Sequence, residues 1–274
     1  MSGSGRVRIA GAEFDPLTHA EVIEAVAIGI RAASGGTIVT PNIDICHRIR
    51  KDPDSRAYVA SASLVVPDGM PLLWAARLAG QPLPERITGA DLIFSLCDAA
   101  WANGWPVYLI GGLPGTDGQP SAARLAADRL AADRPGLMVA GAYAPPASFD
   151  AVRDDIAELS ADLARTCPRV VFVGLGFPKQ EQLIARLARD LPGAWFVGCG
   201  AAIGFAAGEI RRAPAWMQRS GLEWTFRLAS EPRRLASRYL GRDLPFAVAL
   251  LAASATHRLR HPRPTHDDPP PVSL

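Results

Sequence analysis

After a start at Met1–Gly5 that is expected to be flexible, strand-like apolar runs and helix-like amphipathic stretches alternate along this chain. Val22, Ile23, Val26 and Ile30 recur at helical spacing behind a Thr18/Glu21 capping box, which predicts a helix. Thr37–Thr40 reads as a strand, 44–61 as a helix, and Leu64–Val66 as a short strand ending at Pro67-Asp68-Gly69. Helices fit 70–79 and 91–102, and Val107–Ile110 is a strand running into Gly111-Gly112. Helices at 121–133 and 150–165 flank a strand near 137–142, and Trp195–Gly198 closes the series.

One junction is more informative than the rest. The apolar run Val170–Val173 leads into Gly174-Leu175-Gly176-Phe177-Pro178-Lys179-Gln180-Glu181, and Leu183, Ile184 and Leu187 then recur at helical spacing. A buried strand, a glycine turn and a helix start leave backbone N–H groups free for an anion, and Lys179 adds positive charge. The alternation as a whole predicts an α/β fold, a Rossmann-like and mainly parallel sheet flanked by helices. Ligands of such sheets sit beyond the carboxyl ends of the strands. Thr40-Pro41-Asn42, Asp68-Gly69, Gly111-Gly112 and Gly174–Glu181 all fall there, which argues for one composite site.

Beyond Gly208 the character changes. Arg211-Arg212-Ala213-Pro214 opens a basic, aromatic-bearing helical stretch to about Tyr239, and the apolar run Leu244–Ala253 has a length suited to an interface. His261–Leu274 is Pro-rich and predicted to be disordered. The chain is thus expected to comprise a core over 1–208, a basic helical C-terminal appendage over 209–260 and a tail over 261–274. Charge follows the same division: 18 basic against 21 acidic side chains in 1–208, but 11 arginines against four acidic residues in 209–263. A basic segment on an acidic body implies an anionic partner. Arginines mixed with Trp216, Leu222, Trp224 and Phe226 fit lipid headgroups and the acyl boundary better than nucleic acid, so no nucleic-acid partner is expected. A solvated helix covering the core is the plainer alternative.

Composition narrows the classes further. The 274 residues suffice for one large core, and 49% of them are hydrophobic. Cys46, Cys97, Cys167 and Cys199 form no C-x-x-C pair and read as small core residues, so no metal site is expected. No basic stretch leads into an apolar h-region, so no secretory signal is expected, and no run reaches the ~18 apolar residues that a spanning helix needs. A cytoplasmic location, peripheral on the membrane, is the expectation. Serine nucleophile elbows are absent.

Among the polar residues at strand ends, Asp68 is placed to act as a general base, or is simply a turn aspartate. Thr40 and Asn42 offer a hydroxyl and an amide to a sugar or a base edge, or cap a helix. Arg86 could clamp a diphosphate, and Asp91 could cap the 91–102 helix. Gly111 and Gly112 permit close backbone approach but lack the spacing of a dinucleotide fingerprint, so no cofactor is expected. Gln180 suits substrate hydroxyls, while Glu181 has a helix dipole to stabilise it whatever its function. Arg211, Arg212, Arg227 and Arg234 are further phosphate ligands to consider. Two other readings stay open: a non-catalytic membrane-docked module with structural glycines, and an NAD-dependent oxidoreductase or sugar-nucleotide epimerase.

Taken together, Thr40-Pro41-Asn42, Pro67-Asp68-Gly69, Arg86-Ile87-Thr88-Gly89-Ala90-Asp91, Gly111-Gly112, Gly174–Glu181, Arg212-Ala213-Pro214, Glu223-Trp224-Thr225-Phe226-Arg227-Leu228 and Glu231-Pro232-Arg233-Arg234 resemble the WecG/TagA/CpsF glycosyltransferases. The resemblance covers about residues 8–242. It implies an inverting, metal-independent transfer from a UDP-sugar to a polyprenyl-diphosphate-linked acceptor at the cytoplasmic membrane face, with no cofactor. It makes Asp68 the general base, sets Thr40, Asn42 and Gln180 around donor and acceptor, and sends appendage arginines to the diphosphate and membrane. Teichoic-acid, common-antigen or exopolysaccharide synthesis would be the setting, and a homo-oligomer is compatible with it. One departure stands out: Ile203-Gly204-Phe205 lies where many members carry Phe-Asp-Phe.

Overall fold

The computed structural model describes residues 5–116 and 118–260. In chain order the elements begin with the hairpin β1 (Val7–Ile9) and β2 (Ala12–Phe14), then α1 (His19–Arg31), β3 (Gly36–Val39), α2 (Ile43–Ile49), α3 (Pro53–Ala60) and β4 (Leu64–Val65). There follow α4 (Met70–Leu78), α5 (Gly89–Asn103), β5 (Val107–Gly111), α6 (Ala122–Asp133), β6 (Val139–Tyr143), α7 (Ala157–Thr166), β7 (Val170–Gly174), α8 (Lys179–Asp190), β8 (Trp195–Gly198) and α9 (Ala202–Ala206). The last described elements are α10 (Ala215–Ser220), α11 (Glu223–Ser230), α12 (Pro232–Arg238), a π-helical turn at Tyr239–Asp243 and α13 (Leu244–Arg260).

Six strands form one sheet in the order β4-β3-β8-β7-β5-β6, and every pairing is parallel. The Rossmann-like α/β class predicted from the alternation is therefore correct. Side chains of successive strand residues enter opposite layers. Val170 and Phe172 join α1, α5, α6 and α9 on one face, while Val171 and Val173 join α7 and α8 on the other. A third apolar cluster gathers the hairpin, α2, α3, α4 and Phe246 of α13 around Val39 and Val65.

Several boundaries depart from the sequence expectation for local reasons. The helix expected over 44–61 is two helices, because Asp52 caps a new start and Pro53 occupies its first position. The helix expected from 150 begins at Ala157; Asp150 instead accepts the N–H groups of Val152 and Arg153 in a turn. The β1–β2 hairpin is unforeseen, since its strands are only three residues each. The stretch expected to be helical to Tyr239 is broken at Gly221, which adopts a left-handed φ of 77°, and at Glu231-Pro232.

The apolar run Leu244–Ala253 is the start of α13. It meets this chain's own α4 and α2, so the interface it serves is at least in part internal. Cys46, Cys97 and Cys199 are buried as expected, but Cys167 is exposed at the left-handed end of α7. No helix among the described residues is long and apolar enough to cross a membrane. The tail predicted over 261–274 and the start at residues 1–4 lie outside the described residues.

Gly111 ends β5 opposite Gly174 of β7, with φ 129°, and a Cβ there would lie 2.4 Å from the Gly174 carbonyl oxygen. Gly111→Ala is expected to destabilise the fold by about 1–3 kcal/mol, from backbone strain alone. Urea unfolding of the purified variant measures the loss.

Candidate active site

Because the sheet is all parallel, every strand delivers its carboxyl end to one edge, and all the predicted site segments from the core arrive there. Asp68 follows β4 and is stitched in place on both sides. Its N–H donates to the Pro41 carbonyl (3.0 Å) beyond β3, and the Pro67 carbonyl accepts from Ile87 (2.9 Å) in the segment entering α5. Thr40 is buried at the end of β3. Asn42 is the N-cap of α2, its Oδ1 accepting the Ile45 N–H at 3.0 Å. The helix-cap alternative for Asn42 is thus realised, with the side-chain amide nitrogen left outside that bond.

A chain of alternating charges rises beside Asp68. Arg86 Nη1 pairs with Glu223 Oε2 at 2.9 Å, and Arg212 Nη2 pairs with Asp91 Oδ1 at 2.6 Å. Arg212 Nε lies 3.8 Å from Glu223 Oε1, and Arg212 Nη2 also reaches the Thr88 hydroxyl at 3.5 Å. Thr88, not Asp91, is the N-cap of α5; its hydroxyl donates to Asp91 Oδ2 at 2.7 Å and accepts the Asp91 N–H at 3.0 Å. The Arg227 guanidinium stands 5.9 Å from the centre of the Phe205 ring.

This setting perturbs Asp68. Burial pushes its carboxyl up to about 7, against the pull of Arg86 and Arg227 and with the push of Glu223 and Asp91. A carboxylate poised there can accept a proton at neutral pH. Arg212 Nε and Arg227 Nε are buried and make no hydrogen bond within the protein. The Nε groups of Arg48, Arg238 and Arg242 share this feature, but Arg212 and Arg227 carry it within the cluster at Asp68, where it suits an anionic ligand.

The Gly174–Glu181 corner is built differently from the open anion cradle the sequence suggested. Gln180, only 4% exposed, accepts the N–H groups of Gly176 (3.1 Å) and Gly200 (3.0 Å) through Oε1. Its Nε2 donates to Glu181 Oε1 at 2.8 Å. Two of the amides that an anion would need are therefore already taken, and Gln180 ties the loop after β7 to the loop after β8. The glycines serve close packing: Gly112 donates to the Gly174 carbonyl at 3.3 Å, and a Cβ on Gly174 would lie 2.6 Å from Gly200 oxygen. Lys179 turns away, its Nζ 5.4 Å from the centre of the Phe149 ring, lining a cavity of about 310 Å³ with Asp150 and Gln182. The corner shares an edge with Asp68 but is set off from it by the intervening β3 and β8, roughly 14 Å at the usual strand spacing.

Of the arginines predicted beyond the core, Arg212 and Arg227 join the cluster, whereas Arg211 is exposed. Arg234 lies on α12, and its side chain is outside the described residues. Glu223 was missed as a site residue. In the sequence it is a first-turn carboxylate that the helix dipole alone would account for. Gly204, the departure from the family pattern, packs on Ile210: a Cβ there would lie 2.7 Å from Ile210 Cδ1. Among the described residues no group of three or more His, Cys, Asp or Glu side chains could hold a metal ion.

A parallel α/β sheet with a half-buried carboxylate and guanidiniums at its carboxyl edge is the arrangement found where such folds bind ligands at their strand ends. Comparison makes that class specific. The model of the Glycosyl transferase WecG/TagA/CpsF family matches residues 7–260, and the chain belongs to this family; it is a glycosyltransferase. It is 33% identical over 200 residues, 73% of each chain, to the N-acetylglucosaminyldiphosphoundecaprenol N-acetyl-beta-D-mannosaminyltransferase of Bacillus spizizenii. To the Bacillus subtilis protein of the same name it is 29% identical over 234 residues, 85% of this chain and 86% of that one. The alternatives of a non-catalytic module and an oxidoreductase are thereby set aside, although the glycines are indeed structural.

Glu181 is 3% exposed, its Oε2 has no hydrogen-bond partner, and burial pushes its carboxyl from the ordinary 4.5 up to about 7. The native state therefore holds this proton where the unfolded chain releases it. Its contribution to stability is full below about pH 4.5 and is lost as pH rises through about 7. Glu181→Gln, which keeps an acceptor for Gln180, is expected to gain stability over wild type at pH 8 but not at pH 4. Denaturant unfolding at the two pH values checks this.

Proposed function

We propose that this glycosyltransferase moves a sugar, with inversion, from a UDP-sugar to a hydroxyl of a polyprenyl-diphosphate-linked acceptor, with Asp68 as the general base. The observation that carries the reading is Asp68 beside Arg86 and Arg227, its carboxyl pushed up to about 7 by burial, in a cluster where the buried Nε of Arg212 and of Arg227 makes no hydrogen bond within the protein. The relatives are named for an undecaprenyl-diphosphate-linked N-acetylglucosamine acceptor and for transfer of N-acetylmannosamine. That acceptor class is taken over here, and the donor sugar is left to experiment.

In the proposed step the acceptor oxygen forms a bond to the anomeric carbon as the bond from that carbon to the diphosphate breaks. The hydroxyl proton passes to Asp68, and UDP leaves with its added negative charge. Arg86, Arg212 and Arg227 are the groups positioned to receive that charge, and fixed cations in a shielded site stabilise it without solvent reorganisation. Thr40 and Asn42, at the adjoining strand end, would orient donor and acceptor. Gln180 would act indirectly, by holding the loops after β7 and β8. In this reading the core ends near residue 208, and residues 209–260 close it and present the acceptor.

Asp68→Asn should lower turnover about 10²- to 10⁴-fold without lowering the thermal unfolding temperature. A panel of UDP-sugars with a short polyprenyl-diphosphate-sugar acceptor, read by mass spectrometry, gives both the donor and the rate. Unchanged turnover in the folded variant would sink the assignment.

A lipid-borne acceptor calls for a membrane face. Trp216 of α10, Leu222 just before α11 and Trp224 of α11 are exposed, and Gly221 between these helices approaches Met70 and the exposed Trp74 of α4. Such amphipathic side chains beside arginines fit a peripheral location on an anionic bilayer. Removing the whole appendage is a poor test, because Ala213, Leu235, Phe246 and Ala247 are buried. Paired Trp216→Ser and Leu222→Ser replacement is expected to release most of the protein from anionic vesicles in flotation, with the fold intact by circular dichroism.

A further inference from the structure

Glu223 has a place in the cluster that neither the sequence pattern nor the proposed chemistry explains. We propose that it is a positioning residue: one carboxylate that holds Arg86 and Arg212 in a single arc and so fastens α11 over Asp68. The inference rests on the transfer reading above for its catalytic consequence, but its geometry stands independently.

The two carboxylate oxygens face different guanidiniums, Oε2 toward Arg86 at 2.9 Å and Oε1 toward Arg212 Nε at 3.8 Å. All three side chains are mostly shielded, between 15 and 20% exposed, so the pairs escape the screening that makes surface ion pairs weak. Arg86 belongs to the segment between α4 and α5, 137 residues before Glu223. Arg212 lies ahead of α10 and is held at its other end by Asp91 of α5. A single acidic group therefore joins α11, the strand-end segment leading into α5, and the chain entering α10.

The same contact aims a second residue. Glu223 and Arg227 are four apart in α11 and lie on one face of it. Fixing Glu223 on Arg86 thus fixes where Arg227 stands, over Phe205 and facing Asp68. The charged groups that act on Asp68 are Arg86 from the segment before α5, Asp91 from α5, and Glu223 and Arg227 from α11. Two cations and two carboxylates balance there. Loss of the Glu223 charge leaves two cations against Asp91 alone, which favours the ionised form of Asp68.

Two measurements test this. In the pH profile of kcat/KM, with the best donor of the UDP-sugar panel, Glu223→Gln should move the acid limb to lower pH. Glu223→Asp keeps the charge and shortens the reach; it should leave the limb in place while lowering kcat, by roughly 10- to 10²-fold as misplacement of site groups does. Independently of turnover, hydrogen exchange of the α10–α11 amides should quicken at least tenfold in Glu223→Ala and in Arg86→Ala, with no further gain in the double variant. An unmoved limb in Glu223→Gln, or additive exchange effects in the double variant, would overturn the proposal. An acid limb that persists in Asp68→Asn would instead overturn the base assignment, leaving the exchange result to decide the role of Glu223.

Discussion

Taking a carboxylate out of water costs several kcal/mol unless opposite charge is brought to it. At Asp68 the chain brings Arg86 and Arg227 and then holds back full compensation by adding Glu223 and Asp91. The result is a group that is neither locked as an anion nor locked as an acid near neutrality. Each of the four neighbours comes from a segment whose placement depends on the others, so the proton affinity of Asp68 reports on the closure of the whole edge. The backbone of Asp68 gives the fixed point: bonds from its own N–H and from Ile87 to Pro67 clamp the turn between β3 and α5.

In the glycine-rich corner two of the backbone amides are already engaged inside the protein. Gln180 closes two loop amides with one oxygen and is oriented by Glu181 through its nitrogen. Its amide cannot turn over without losing all three bonds. Glycine at 111, 112, 174 and 198 lets backbones and this Gln–Glu pair approach more closely than any side chain would permit. Rigid strand ends on one side of the edge thus support a charged, half-open cluster on the other.

The helices after residue 208 meet the rest of the fold by two unlike kinds of contact. Phe246 and Ala247 of α13 bury apolar surface against the cluster around α2 and α4, and Arg242 pairs with Asp44 of α2 at 2.8 Å. Nearer Asp68 the contacts are ionic, through Glu223 and Arg212. Apolar burial secures α13, while ion pairs that a charged ligand could exchange with lie beside Asp68.

Strand and helix order, the parallel sheet and the edge that carries the site were legible in the sequence. Period-two and period-3.6 patterns are local properties, and a parallel βαβ order leaves one edge for the loops. Asp68, Thr40, Arg86 and Arg212 were legible as polar residues at that edge or just beyond the core. The break at Asp52-Pro53 was also written locally, in a cap and a proline, though it went unread. The pairing of Glu223 with Arg86 was not legible, because nothing along 137 residues specifies which carboxylate meets which guanidinium. Nor was the fate of the Gly176 and Gly200 amides, which depended on where the buried amide of Gln180 would point. Local patterns determine which elements form and in what order; only packing decides which charges are stripped of water together, and that sets their chemistry.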